Sequence, residues 1–365
     1  MSVTARAPGA GPSAAPGAGS RRWLVLLGWL AFAAALVAFP LVLTNSTYTS
    51  IGIFTLLFMA SASAWNAFGG FSGYINLGMG VFWGTGAYTL SLAALDWHMR
   101  AGYSMFSLVA LGGLAAAAIA VPFGFVALRT RRHTFVVITI GIFFIFQALA
   151  FNFSFTGGSS GLQPPSPPWL GDFFNVPFYY VALGVLAFAV LLASGMRHSR
   201  FGLQLLAIRD DEPRARGLGV KVAWVKLSAF VLTAIPVGMA GALYAYFVGQ
   251  IFPQFAFDPT FDVTVALMSF FGGLGTITGP LLGALVLEPI QQYLQFTIPA
   301  GSLYLVIYGG LFLLVILFMP RGLIPSVRDR WLSRRAARRG LAEIPTEVST
   351  AQPRSAAQDP DERTA

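Results

Sequence analysis

The sequence predicts an all-α, polytopic membrane protein, and three features of its 365 residues carry that prediction. Hydrophobic residues make up 56% of the chain and charged residues only 10%, where a soluble domain carries roughly 25% charged residues. Long apolar runs recur, among them WLVLLGWLAFAAALVAFPLVL at 23–43 and LYLVIYGGLFLLVILFMP at 303–320. A bilayer-crossing helix needs about 20 such residues. The third feature is the absence of ten-residue alternating segments, which a membrane barrel would require. The formal net charge of +9 is judged by its placement along the chain, not as a nucleic-acid signal.

Taken in order, residues 1–22 read as a disordered tail, since sixteen of the first twenty are Ala, Gly, Pro or Ser. The twin-arginine start SRRWLVLL suggests a signal sequence, but the apolar run that follows exceeds the roughly 7–15 residues of a signal core. An uncleaved first helix is expected. Hydropathy places ten candidate spans at 23–43, 51–69, 74–95, 105–128, 133–153, 178–196, 226–248, 261–276, 279–298 and 303–319. With the N-terminus in the cytoplasm, 22 of the 23 Lys and Arg residues fall in cytoplasmic loops and tails, leaving Arg100 outside. That asymmetry obeys the positive-inside rule and predicts both termini in the cytoplasm. Span 261–276 is short and ends in GGLGTITGP, so a broken helix stays open there, although the charge pattern favours two crossings. The transmembrane domain is thus 23–320. Residues 321–365 form a cytoplasmic tail, basic at RDRWLSRRAARR (328–339) and disordered beyond about 340; the basic part is expected to lie on anionic lipid.

The inside loop 197–225, RHSRFGLQLLAIRDDEPRARGLGVKVAWV, is unusually long. A helix beginning near Phe201 presents Leu203, Leu205, Leu206 and Ile208. Asp210 and Asp211 break it, and DDEP starts a second helix with acids and a proline in its first turn. Gly217 and Gly219 supply a stop. Two short helices below the membrane are expected. Their mixed charge suits docking to a cytoplasmic partner better than rest on headgroups, which favours cationic helices.

The segment GYINLGMGVFWGTGAYTL (73–90) combines five glycines with apolar neighbours. Gly69/Gly73 and Gly80/Gly84 have the spacing of close helix packing, and glycines also let a helix unwind where its backbone lines a polar cavity. A close-packed, broken helix is expected here. Four polar residues are candidates for a substrate pathway: Asn66, Asn76, Gln147 and Glu288, the last being the acid well inside a predicted span. Asp258 and Asp262 are expected at the outer face. The chain has no cysteine, and His98, His133 and His198 sit at span ends. No catalytic constellation or metal set emerges, so no enzymatic role is expected.

Residues 199–245, SRFGLQLLAIRDDEPRARGLGVKVAWVKLSAFVLTAIPVGMAGALYA, strongly resemble the LivM-like permease subunits of branched-chain amino acid ABC importers. Three further blocks fit in the same order: the glycine-rich segment ending in GAY, the outer-loop TGGSSGL (156–162), and GGLGTITGPLLGA (272–284) with MPRGL (319–323). The resemblance implies a ten-helix, type II-like ABC importer permease in a bacterial inner membrane. It implies a second, LivH-like permease, two cytoplasmic ATPases and an extracytoplasmic solute-binding protein as partners. It also implies that Phe201, Gly202, Ala207, Ile208, Arg209, Asp210, Asp211, Leu218 and Gly219 couple the chain to the ATPase. Tyr74 and Met79 depart from the family's frequent Gln and His, which bears on the substrate.

The residues agree that the engine lies elsewhere. No G-x-x-x-x-G-K-[ST] loop exists, and the two lysines, Lys221 and Lys226, do not follow glycine. No cofactor is therefore expected in this chain, with ATP bound by its partners. The alternatives weighed are a permease for urea or short amides and an ion-coupled secondary transporter. The latter would want several embedded acids or an inverted repeat.

Overall fold

The computed structural model describes residues 18–43, 45–169, 171 and 174–297, with isolated positions at 306, 309, 310 and 313. The chain divides into Met1–Ile324 and Pro325–Ala365, and every element below belongs to the first unit. The extreme N-terminal tail, the span at 303–319 apart from those four positions, and the basic segment 328–339 lie outside the described residues.

Twelve α-helices make up the described part: α1 (Ala18–Val42), α2 (Ser46–Ser72), α3 (Gly80–Asp96), α4 (Ser107–Ala127), α5 (Arg132–Asn152), α6 (Asn175–His198), α7 (Arg200–Asp210), α8 (Glu212–Gly217), α9 (Val222–Val248), α10 (Pro253–Ala256), α11 (Pro259–Gly272) and α12 (Thr278–Thr297). Among the described residues five helices are long and apolar enough to cross a membrane: α2, α4 with its preceding turn, α5, α6 and α9. The protein is a multi-pass helical membrane protein.

Two expected spans differ in detail. The helix expected over 74–95 starts only at Gly80, and residues 74–79 are non-helical. The helix expected over 261–276 ends at Gly272, after which a turn leads into α12. Both breaks fall in glycine-rich sequence, where the backbone adopts left-handed geometry at Gly73 and Gly275 (φ 75° and 76°).

α2 is the central post. About 78% of its most apolar stretch is buried inside the bundle, against 22% for α5, so α5 presents most of its surface outward. α2 packs on α6, α12, α9 and α11, while α9 also lies against α3 and α4. Lipid tails are as apolar as leucine, so helix contact depends on close fit. Gly86 of α3 shows that fit, since a Cβ there would collide with the carbonyl of Gly238 on α9. Gly86 lies outside both pairs at the G-x-x-x-G spacing.

Candidate functional site

Side chains take up part of the backbone of the unwound segment between α2 and α3. Gly73 closes α2, its N–H donating to Gly69 O at 2.9 Å. The Trp65 indole N–H donates to Asn76 O at 2.7 Å, and Leu77 N–H to Thr139 Oγ1 at 3.2 Å. The Asn76 amide oxygen accepts from Gly78 N–H at 3.0 Å. A break inside a membrane protein persists only where protein groups replace the lost helical bonds. Here side chains replace part of them.

Helix α3 begins with no side-chain cap of its own at Met79. Asp262, in the first turn of α11, supplies the missing acceptor: both carboxylate oxygens take the Gly80 N–H, at 3.1 and 3.2 Å. An acid at a helix N-terminus satisfies orphan donors and the positive end of the helix dipole. Asp262 is only 3% exposed, so it is not open to solvent or to a docking protein, as a residue at the outer face was expected to be. Asp258 does serve α11 locally, accepting from Thr260 N–H at 2.8 Å. Asp262→Ala is expected to cost about 2 kcal/mol through the orphaned Gly80 donor, with Asp262→Asn costing less because it keeps an acceptor; thermal unfolding of the purified protein checks both.

The loop 197–225 forms the expected pair of short helices. Ser199 caps α7 by accepting from Gly202 N–H, and Asp211 caps α8 by accepting from Arg214 N–H at 3.0 Å. Gly202 lies under the Met196 carbonyl with no room for a Cβ. Leu205 and Ile208 are buried while Leu203 is exposed, so the apolar face is narrower than expected. Arg209 turns inward and donates to Gly70 O at 2.6 Å. Arg132 reaches from α5 to the carbonyls of Ile208 and Arg209, at 2.8 and 2.6 Å. Asp210, Leu218 and Gly219 face outward, with Leu218 83% exposed.

Three side chains tie this elbow to the break. Lys226 Nζ of α9 donates to Glu212 Oε1 at 3.1 Å and to the Tyr74 hydroxyl at 3.0 Å. The Tyr74 hydroxyl in turn donates to Glu212 Oε2, and Lys226 Nζ also sits 4.4 Å over the Tyr74 ring. Burial pushes the Glu212 carboxyl up, but the Tyr74 hydrogen bond and the Lys226 charge outweigh it and hold it below the ordinary carboxylate value. Tyr74 is the first residue of the unwound segment, so α8 grips the break directly.

The four expected pathway residues divide in two. Asn66 uses both ends of its amide on the turn before α12, donating to Thr276 O at 2.7 Å and accepting from Gly275 N–H at 2.8 Å. Gln147 donates to Phe257 O at 2.6 Å. These two tie elements together. Among the described residues Asn76 keeps its buried Nδ2 without a partner, and Glu288, 1% exposed, keeps Oε2 without one while Oε1 accepts from Gln292. No hydrogen bond links any two of the four.

The family model described as branched-chain amino acid transport system / permease component matches residues 46–316, about three quarters of the chain. This chain belongs to that family. The permease is 27% identical to the high-affinity branched-chain amino acid transport system permease protein LivM of Escherichia coli K12 over 333 residues, covering 83% of this chain and 76% of that protein. It is also 27% identical to LivH of the same strain over 299 residues, covering 77% and 92%. An L-arabinose ABC transporter permease protein, AraH of Azospirillum brasilense, matches at 27% over 231 residues, 60% of this chain and 66% of that one. No solved structure matches.

Sequence reasoning about the permease missed Tyr74, Arg132, Glu212, Lys226 and Asp262 as linking residues. One signal was available: Lys226 opens an otherwise apolar helix, and a cation there needs a partner. Nothing local names that partner.

Proposed function

We propose that this chain is the membrane-spanning permease subunit of an ABC importer that moves branched-chain amino acids across a bacterial inner membrane. Ten crossings with both termini in the cytoplasm place loop 197–225 on the ATPase side. A LivH-like second permease, two ATPase subunits and an extracytoplasmic binding protein complete the machine. The observation that carries this reading is the α7–α8 elbow. Its outer edge, at Asp210, Leu218 and Gly219, is free to meet a partner, while its inner edge holds the helix break through Arg209, Glu212 and Tyr74. A push on the elbow is thereby delivered to Gly70 and to the unwound segment. Asn76 and Glu288, which retain polar atoms unpartnered among the described residues, are the pathway residues best able to meet a solute.

Arg209 faces Gly70, so the partner-facing test belongs to Leu218. Leu218→Asp is expected to reduce co-purification of the ATPase subunits at least ten-fold, an effect of about 1.4 kcal/mol, without lowering the amount of permease in the membrane. Undiminished association and uptake would count against the reading. Sugar permeases among the relatives make a carbohydrate the second substrate reading, beside urea or short amides. Calorimetry on the cognate binding protein with leucine, arabinose and urea separates the three.

A further inference from the structure

At the same end of the bundle lies a cleft of about 1360 Å³ whose outer half the transport reading leaves unused. One side is the end of α4 and the turn to α5, with Phe125, Arg129 and Arg131. The other is α8 and the first turn of α9, with Arg216 and Trp224. Two properties meet there. Phe125 and Trp224 are 56% and 70% exposed, at the ends of two helices suited to crossing a membrane. Above this apolar wall is a cationic rim. The Arg129 guanidinium lies 4.0 Å over the Phe125 ring, and neither Arg129 nor Arg131 has an acidic partner among the described residues. Of the nearby acids, Asp211 and Glu212 already hold Arg214 and Lys226; Asp210 is the remaining carboxylate on the cleft. Arg216 pairs with Glu212 only at an exposed position, an interaction weak enough to exchange.

We propose that this cleft binds an anionic phospholipid of the cytoplasmic leaflet, its phosphate between Arg129 and Arg131 and an acyl chain along Phe125 and Trp224. Basic pockets between helices on this side of a membrane recognise such headgroups, each cation contributing about 1 kcal/mol. Tryptophan at the boundary suits the headgroup level. A free phosphate would use the rim and leave the wall in water, and an acidic protein segment would do the same. A lipid uses both. Because α8 forms the far wall, a bound lipid braces the elbow against the α4–α5 turn. The choice of leaflet and that consequence rest on the proposed function; the pairing of the Arg129 and Arg131 charges with the apolar wall does not.

The test is native mass spectrometry of the full-length protein in phosphatidylcholine nanodiscs titrated with cardiolipin. Arg129→Gln/Arg131→Gln is expected to lower cardiolipin affinity roughly 30-fold, two cations at about 1 kcal/mol each. Arg200→Gln/Lys221→Gln removes the same charge outside this cleft and is expected to change affinity little. Equal losses in both pairs, or no loss in the first, would overturn the proposal. So would displacement of cardiolipin by inorganic phosphate, which would mark a free-anion site. Unchanged lipid binding with loss of co-purifying ATPase would mark a protein surface instead and overturn it too. Should the first pair not fold, Trp224→Ala tests the wall: it must weaken cardiolipin while sparing glycerophosphate. Failure of any arm leaves the Leu218 test of the transport reading standing.

Discussion

Glu212→Ala should be the most damaging single change in the elbow, costing about 3 kcal/mol and uncoupling ATP hydrolysis from uptake. It strands the Lys226 ammonium, whose side chain is 4% exposed, with no anion. Breaking a buried pair from one side costs about 3–5 kcal/mol, and the lower end applies because Glu212 keeps 20% of its side chain exposed. Glu212→Ala/Lys226→Met removes both charges and should recover most of the lost stability. Thermal inactivation of the two variants decides the matter; a double variant no better than the single one would show that the pair is not what holds α8. Acid gives a parallel result. The Glu212 carboxyl is depressed from its ordinary 4.5 in the folded protein, so its contribution is fully present above pH 4.5 and drains away as pH falls through the folded value. Wild type should therefore lose stability below that point by an increment that Glu212→Ala lacks at every pH. For function, ATPase activity of the reconstituted complex should persist while solute moved per ATP falls. A proportional fall in both would mean that Tyr74, Glu212 and Lys226 only hold the fold together.

Gly86→Ala is expected to cost about 3 kcal/mol, the upper end for an overpacked contact. The obstruction is the Gly238 carbonyl, and Gly238 is itself pressed against Ala116 and the Gly112 carbonyl of α4. No flexible side chain can yield, so three helices must part. Gly184→Ala on α6 is the matched control, because nothing lies within 4 Å of a Cβ there and alanine is the better helix former. Steady-state protein in the membrane and unfolding temperature should fall for Gly86→Ala and hold or rise for Gly184→Ala. Equal behaviour would refute close α3–α9 packing.

The elbow was legible because its signals are local. Ser199, Asp211 and Pro213 act within three residues of where they stand, so helix ends at Asp210 and Gly217 could be read directly. The direction Arg209 takes was not legible, since a cation at that position can serve water, a partner or a carbonyl, and Gly70 lies 139 residues away. The burial of Asp262 was not legible for the same reason: its partner Gly80 is 182 residues off. A break within 73–90 was expected from its glycines, but its place at 74–79 was not, and the side chains that make it tolerable, Trp65 and Thr139, come from other helices.

Composition, apolar run length and the distribution of arginines were enough to establish a helical membrane protein. Four ordered motifs established the permease resemblance. These properties accumulate along the chain and need no knowledge of neighbours in space. Helices that are apolar nearly all round carry little periodic signal for which face meets which helix, so the fold alone supplied the crossing at Gly86 and Gly238, the cap on α3 and the grip of Glu212 on Tyr74. Each depends on two distant backbones approaching within a few ångströms, a condition that no local stretch of residues encodes.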